Sequence, residues 1–113
     1  MELNHCHVLF REFMKAKIWF ERTLEKEPIF QNHRLAYFDL GSMTLVIEDA
    51  DTDTKMTLAF RTASCDQRFK ELVAEGNEVI EEPTTRPWKV RSAYLKGPGS
   101  LTLEIEQQIL EEA

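Results

Sequence analysis

The sequence is short of positive charge. Fourteen Lys and Arg residues stand against twenty Asp and Glu, a net charge of −6. A nucleic-acid or anionic-membrane partner needs a basic footprint, so neither is expected. Long apolar runs are also missing. No stretch approaches the roughly 18 apolar residues of a membrane span. Met1-Glu2-Leu3-Asn4 has neither the basic region nor the following apolar core of a signal peptide. Cysteine is scarce, with only Cys6 and Cys65, which fits a reducing cytoplasm. Cys6 lies in an apolar strand and reads as a small buried hydrophobe. The 113 residues are 42% hydrophobic, enough for a core and outside the disordered regime. They make one compact domain, or two small modules sharing a core. The acids are spread out apart from Glu81-Glu82 and Glu111-Glu112, which read as solvated surface.

What the chain does have is a pattern that occurs twice. Each half opens on an apolar strand with a ligand-type residue, continues into an amphipathic helix and closes on a strand carrying a glutamate. His5 and Thr57 are 52 positions apart, and Glu48 and Glu104 are 56 apart. A repeat of about fifty residues is too long for a solenoid unit and fits a duplicated β-α-β-β-β module. Module one is expected over residues 3–49, a linker over 50–55, module two over 56–106 and a tail over 107–113.

In the first half, residues 3–10 form a strand. Phe13, Ala16, Phe20 and Leu24 recur at helical spacing, and Pro28 closes that region. Strand-like runs follow at 28–31, 35–40 and 43–48, the last two joined by a Gly41-Ser42 turn. Residues 49–55 are acidic and Thr-rich and have no apolar period. In the second half, 56–62 is a strand, and Ser64 or Asp66 can cap a helix facing inward through Phe69, Leu72 and Val73. Gly76-Asn77 ends that helix. Val79-Ile80 is a short strand before Pro83, and 84–87 is a loop. Residues 90–95 and 101–106 are strands around the Gly97-Pro98-Gly99-Ser100 turn.

Alternation along these strands sorts side chains by face. Leu101, Leu103 and Ile105 must pack under a helix, as must Met43, Leu45 and Ile47. Cys6, Val8 and Phe10 form the corresponding apolar set of the first strand. His5, His7, Glu48, Thr57 and Glu104 fall on the opposite, helix-free face.

Three segments resemble the vicinal oxygen chelate superfamily, which includes glyoxalase I, bleomycin- and fosfomycin-resistance proteins and extradiol dioxygenases. Leu3-Asn4-His5-Cys6-His7-Val8 resembles the family's opening strand, with its ligand histidine at His5. Trp19-Phe20-Glu21-Arg22-Thr23-Leu24 resembles the family's helix end, with Glu25 where glycine is usual. Tyr94-Leu95-Lys96-Gly97-Pro98-Gly99-Ser100-Leu101-Thr102-Leu103-Glu104, led in by Pro87-Trp88-Lys89-Val90-Arg91, resembles its closing hairpin. There Gly97 replaces the usual aspartate. The resemblance implies an α+β fold of two β-α-β-β-β modules. Together they form a cup-shaped, incompletely closed mixed sheet with the helices outside.

The resemblance also implies a divalent metal (Ni, Zn, Mn or Fe) held by His5, Glu48 and Glu104. Glu104 would double as the catalytic base. Thr57 stands where metal-dependent members open the second half with a histidine, which leaves a metal-free site as the alternative. His7, Thr57, Trp88 and Arg91 are the candidate substrate-binding residues. Trp88 reads equally as a stacking surface or as core. Arg91 would pair with a ligand carboxylate or phosphate, or with the Glu81-Glu82 region. The expected function is binding or conversion of a small polar molecule in the cup. The conversion would be that of a metal-assisted lyase, isomerase or transferase. The alternative is a metal-free protein that sequesters an antibiotic or metabolite. A homodimer is expected, because so short a chain has little core with which to cover its sheet edges.

Overall fold

A computed structural model describes residues 1–109. The last part of the expected tail, with Glu111 and Glu112, lies outside the described residues. The chain divides into two compact units, Met1–Thr54 and Lys55–Ala113.

The first unit runs β1 (His5–Phe10), α1 (Phe13–Leu24), β2 (Phe30–Gln31), β3 (Leu35–Asp39) and β4 (Thr44–Asp49). Its sheet has the order β1-β4-β3-β2. β1 is parallel to β4, and the other pairs are antiparallel. Helix α1 packs on β1 and β4. It buries Phe13, Ala16, Trp19, Phe20 and Thr23, residues spaced to form one face of a 3.6-residue helix. Phe20 is fully buried, with its ring 5.9 Å from Phe10, 4.9 Å from Trp19 and 5.9 Å from Phe38. Burying such a side chain contributes about 1.5–3 kcal/mol, and each edge-on ring pair adds about 0.5–1.5 kcal/mol. The helix ends at Glu25, which adopts the left-handed conformation (φ 53°) that normally favours glycine.

The second unit runs β5 (Met56–Arg61), α2 (Cys65–Ala74), β6 (Val79–Thr85), β7 (Val90–Lys96) and β8 (Leu101–Gln108), with sheet order β5-β8-β7-β6. β5 is parallel to β8, and the remaining pairs are antiparallel. Ser64 caps α2 by accepting a 3.2 Å hydrogen bond from the Gln67 amide. Gly76 takes a positive φ of 99° as the chain leaves the helix. Leu101, Leu103 and Ile105 are buried on the α2 side, as alternation predicts. Gly97 lies directly over Leu101: a Cβ there would come within 3.0 Å of Cδ2. A side chain at Gly97 would press on the buried Leu101 side chain. Each unit is thus an α+β layer pair, one mixed four-stranded sheet with one helix on one face.

Two expectations change. Val79-Ile80 is not a short strand before a loop, because β6 continues through Pro83 to Thr85. β6 is an edge strand with register shifts on either side of Glu81. An edge position and an irregular ladder tolerate a residue without an N–H.

The stretch 49–55, read as the linker, is hydrogen-bonded to β1. Thr54 and Leu9 exchange two hydrogen bonds, of 2.8 and 3.0 Å, and the Arg11 amide donates to Asp53 at 2.9 Å. This tethers the stretch to the outer edge of β1.

The internal repeat also has a different register. His5 pairs with Thr44, and Thr57 pairs with Thr102. The hairpins close on Asp39–Thr44 and Lys96–Thr102. Helix α1 starts at Phe13 and α2 at Cys65. These anchors keep His5 equivalent to Thr57. They make Glu48 equivalent to Glu106 and place Glu104 at the position of Val46. Matching Glu48 with Glu104 preserves the face but slips the pair by one strand repeat, because alternation specifies a face and not a position along it.

Candidate functional site

The helix-free face of the first unit carries His5, His7 and Leu9 on β1, Thr44, Val46 and Glu48 on β4, and Leu35, Tyr37 and Asp39 on β3. Strand parity and register place them there. Two of these polar groups meet: His7 Nδ1 bonds the Glu48 carboxylate. With Nδ1 engaged by a carboxylate, the neutral ring carries its proton on Nδ1 and presents Nε2 as an acceptor. Both side chains are partly exposed, 46% for His7 and 27% for Glu48, so the pair is accessible to a ligand. The His5 ring lies edge-on to His7 with centroids 4.9 Å apart, and its Nδ1 is 2.8 Å from Asn4 Oδ1. His5 and Glu48, expected to share a metal, are thus each bonded to another side chain. His7, expected as a binding residue, is the one that reaches Glu48. His33 is exposed in the β2–β3 turn.

A cavity of about 390 Å³ opens beside Glu48, lined by Asn32, Arg34, Leu35, Glu48 and Asp49. A second, more open hollow of about 480 Å³ runs along the end of α1, between Ile18 and Glu27. It borders none of the candidate residues.

The helix-free face of the second unit holds Thr57, Ala59 and Arg61 on β5, Thr102, Glu104 and Glu106 on β8, and Ser92 and Tyr94 on β7. Tyr94 stands opposite Glu104 in the ladder. Burial pushes the phenol's pKa up from its ordinary value, and the negative charge of Glu104 pushes it further in the same direction. The Arg86 guanidinium lies 5.8 Å from the centre of the Tyr94 ring. Its Nε donates to Ser92 Oγ at 2.9 Å, and it pairs with Glu81 at 2.7 Å. Arg86 went unnoticed in the sequence because the loop that carries it has no motif. Its position opposite a Ser-x-Tyr run on β7 is visible only in the folded hairpin. Thr57 is exposed and presents a neutral hydroxyl.

Arg91 points the other way. It is on the α2 face of β7, where its guanidinium forms two bonds to Asp66, of 2.7 and 2.9 Å. A further bond of 3.0 Å reaches Thr85 Oγ1. The Arg91 guanidinium holds the Asp66 carboxyl below its usual pKa. The acidic partner in the Glu81-Glu82 region belongs instead to Arg86. Trp88 is 67% exposed in the β6–β7 turn, which leaves its ring free as a stacking surface and removes it from the core. Burial pushes both cysteine thiols up in pKa, consistent with inert packing residues.

The donor set fits a four-ligand metal centre poorly. Thr57 offers no strong ligand at the fourth place, and Glu48 is taken up by His7. Among the described residues, neither unit by itself gathers three His, Cys, Asp or Glu side chains around one point.

The chain is similar over nearly its whole length to solved structures. A glyoxalase/bleomycin resistance protein/dioxygenase from Nocardioides matches with a TM-score of 0.82 at 16% identity, over 99% of this chain and 86% of the other. A family enzyme of the same description from Burkholderia phytofirmans PsJN matches with a TM-score of 0.84 at 13% identity, over 96% of this chain and 100% of the other. Lactoylglutathione lyase from Agrobacterium tumefaciens matches with a TM-score of 0.79 at 15% identity, covering 93% and 92% of the two chains. Neither a family model nor a curated protein sequence matches the chain. The protein therefore has the fold of these glyoxalase/bleomycin resistance/dioxygenase structures, the fold its motifs resemble. No described helix is long and apolar enough to cross a membrane.

Proposed function

We propose that this glyoxalase-type domain binds, and where catalytic converts, a small polar molecule on the polar face of its first unit. The observation that carries this reading is the His7–Glu48 pair. It is a partly exposed, pre-oriented imidazole–carboxylate couple on a sheet face, with a polar cavity against Glu48. Such a couple accepts or donates hydrogen bonds to hydroxyl, carbonyl or amine groups and can take up a proton at Nε2.

A metal-assisted lyase, isomerase or transferase is the second reading, with His5, Glu48 and Glu104 as ligands. What favours it is that the His5 imidazole and the Glu48 carboxylate share the helix-free face of the first unit. Elemental analysis after equilibration with Ni²⁺, Zn²⁺, Mn²⁺ and Fe²⁺ separates the two. Under the first reading no stoichiometric metal is retained, and His7→Ala weakens binding of hits from a screen of small polar acids, alcohols and amines. One equivalent of metal that is lost in His5→Ala and tightened in Thr57→His establishes the second. The protein is further read as a cytoplasmic homodimer. Light scattering at tens of micromolar should return twice the chain mass, and a monomer there rejects the dimer.

A further inference from the structure

We propose that the helix-free face of the first unit takes an organic cation with N–H donors, a primary ammonium or an amidinium. His5 and His7 receive those donors through Nε2. The assignment rests on the reading of this face as the ligand site and names the class of molecule that fills it.

Both imidazoles are set as acceptors before any ligand arrives. Asn4 Oδ1 can only accept, so its 2.8 Å contact places a proton on His5 Nδ1. The Glu48 carboxylate does the same for His7 Nδ1. Each neutral ring therefore carries its lone pair on Nε2. Neither Nε2 has a hydrogen-bond partner among the described residues. The two rings belong to one face of β1 and lie edge-on with centroids 4.9 Å apart. Both residues are exposed. A single nitrogen with two N–H bonds can span acceptors about 5 Å apart, since each hydrogen bond is about 2.9 Å long.

Charge then selects a cation. By register, the strand residues of this face include two carboxylates, Asp39 and Glu48, and neither lysine nor arginine. The basic side chains at its borders are engaged. Arg11 Nε donates to the Asp51 carbonyl at 2.8 Å, and Lys26 Nζ to the Asp39 carbonyl at 2.6 Å. An anion would meet two bare lone pairs and two like charges. A neutral alcohol has one O–H for two acceptors. A primary ammonium brings three N–H bonds and the opposite charge, which makes its bonds charge-assisted. The second unit lacks this arrangement. Thr57 and Ala59 stand at the places of His5 and His7, and Arg61 on the same strand face adds a positive charge. The site therefore belongs to one copy of the duplicated module.

The test is a titration of ¹⁵N-labelled protein with n-butylamine, butyltrimethylammonium, 1-butanol and pentanoate. It is run at a pH of about 8, where free imidazole is neutral and an alkyl amine is charged. Butylamine should shift the amides of His5, His7, Thr44 and Glu48. Butanol lacks the charge and the trimethyl compound lacks the N–H bonds. Each should bind about tenfold more weakly, the effect of one lost charge-assisted contact, and pentanoate should not bind. Glu48→Gln should weaken butylamine by a similar factor and leave butanol unchanged. Glu48 is partly exposed, so the variant should fold, and the comparison of the four compounds depends on no variant. Imidazole ¹⁵N shifts of the free protein should show both rings protonated on Nδ1. Equal binding of butylamine and its trimethyl analogue, binding of pentanoate as tight as that of butylamine, or a neutral ring protonated on Nε2 would each overturn the proposal. A neutral or acidic molecule that shifts His7 while butylamine does not rejects the cation alone and leaves the ligand face standing. No shift at the four amides with any of these compounds or with any screening hit rejects the face, and the proposal with it.

Discussion

The two units share one topology and differ in how they use it. In the first, the helix packs through aromatic rings, and the opposite face brings His7 to Glu48. In the second, the residue equivalent to Phe20 is Leu72. The helix is also fastened by an Asp66–Arg91 ion pair, and the opposite face is organised around Arg86, Tyr94 and Glu104. At the place of His7–Glu48 the second unit has Ala59 and Glu106, and Glu106 lies 3.8 Å from Arg61. The helix side of each sheet must stay apolar to exclude water, so it keeps the duplication legible. The other side is under no such constraint, and there the two copies have acquired different chemistry.

The largest test of this contrast is in the cores. Phe20→Ala should destabilise the protein by about 3–5 kcal/mol, because it empties the centre of an aromatic cluster. Leu72→Ala should cost about 2–5 kcal/mol. Urea midpoints would compare them. If Leu72→Ala proves clearly the more costly, the aromatic cluster is not what distinguishes the first unit.

A pH series tests the ionic fastening of α2. The folded-state pKa of Asp66 is depressed, chiefly by its hydrogen bonds to Arg91. The associated stability is therefore present above the unfolded carboxyl value, near ~3.9, and is lost as pH falls through the lower folded value. Asp66→Asn should be less stable than the parent at pH 6, and the gap should close in strong acid. A gap that is constant with pH would mean that the pair contributes through shape and not charge.

The smallest effect concerns the ends of the helices. Glu25 holds a left-handed conformation where the second unit uses Gly76 as it leaves α2. Glu25→Gly should stabilise by up to about 1 kcal/mol, since it removes a steric penalty of that order. Gly76→Ala should destabilise by a similar amount. Thermal melts of the two variants moving in the same direction would break the comparison.

Much of the architecture was legible because alternation and helical spacing are local properties. The set Leu101, Leu103 and Ile105, the face of α1, and the turns at Gly41-Ser42 and Gly97–Ser100 could each be read within a few residues. β6 was cut short because Pro83 disqualifies an interior strand, and edge position is not a local property. Arg91 was placed with ligand-binding residues because a guanidinium can pair with a carboxylate or phosphate, although its own parity, shared with Ala93 and Leu95, puts it under α2. The side of a strand and the start of a helix follow from residue order, since sterics and burial act over one or two turns. The pairing of His7 with Glu48, the match of Glu48 to Glu106, and the cavity between Asn32 and Asp49 depend on how far one strand slides along another. That sliding is settled by the packing of a whole sheet against its helix, and only the folded chain fixes it.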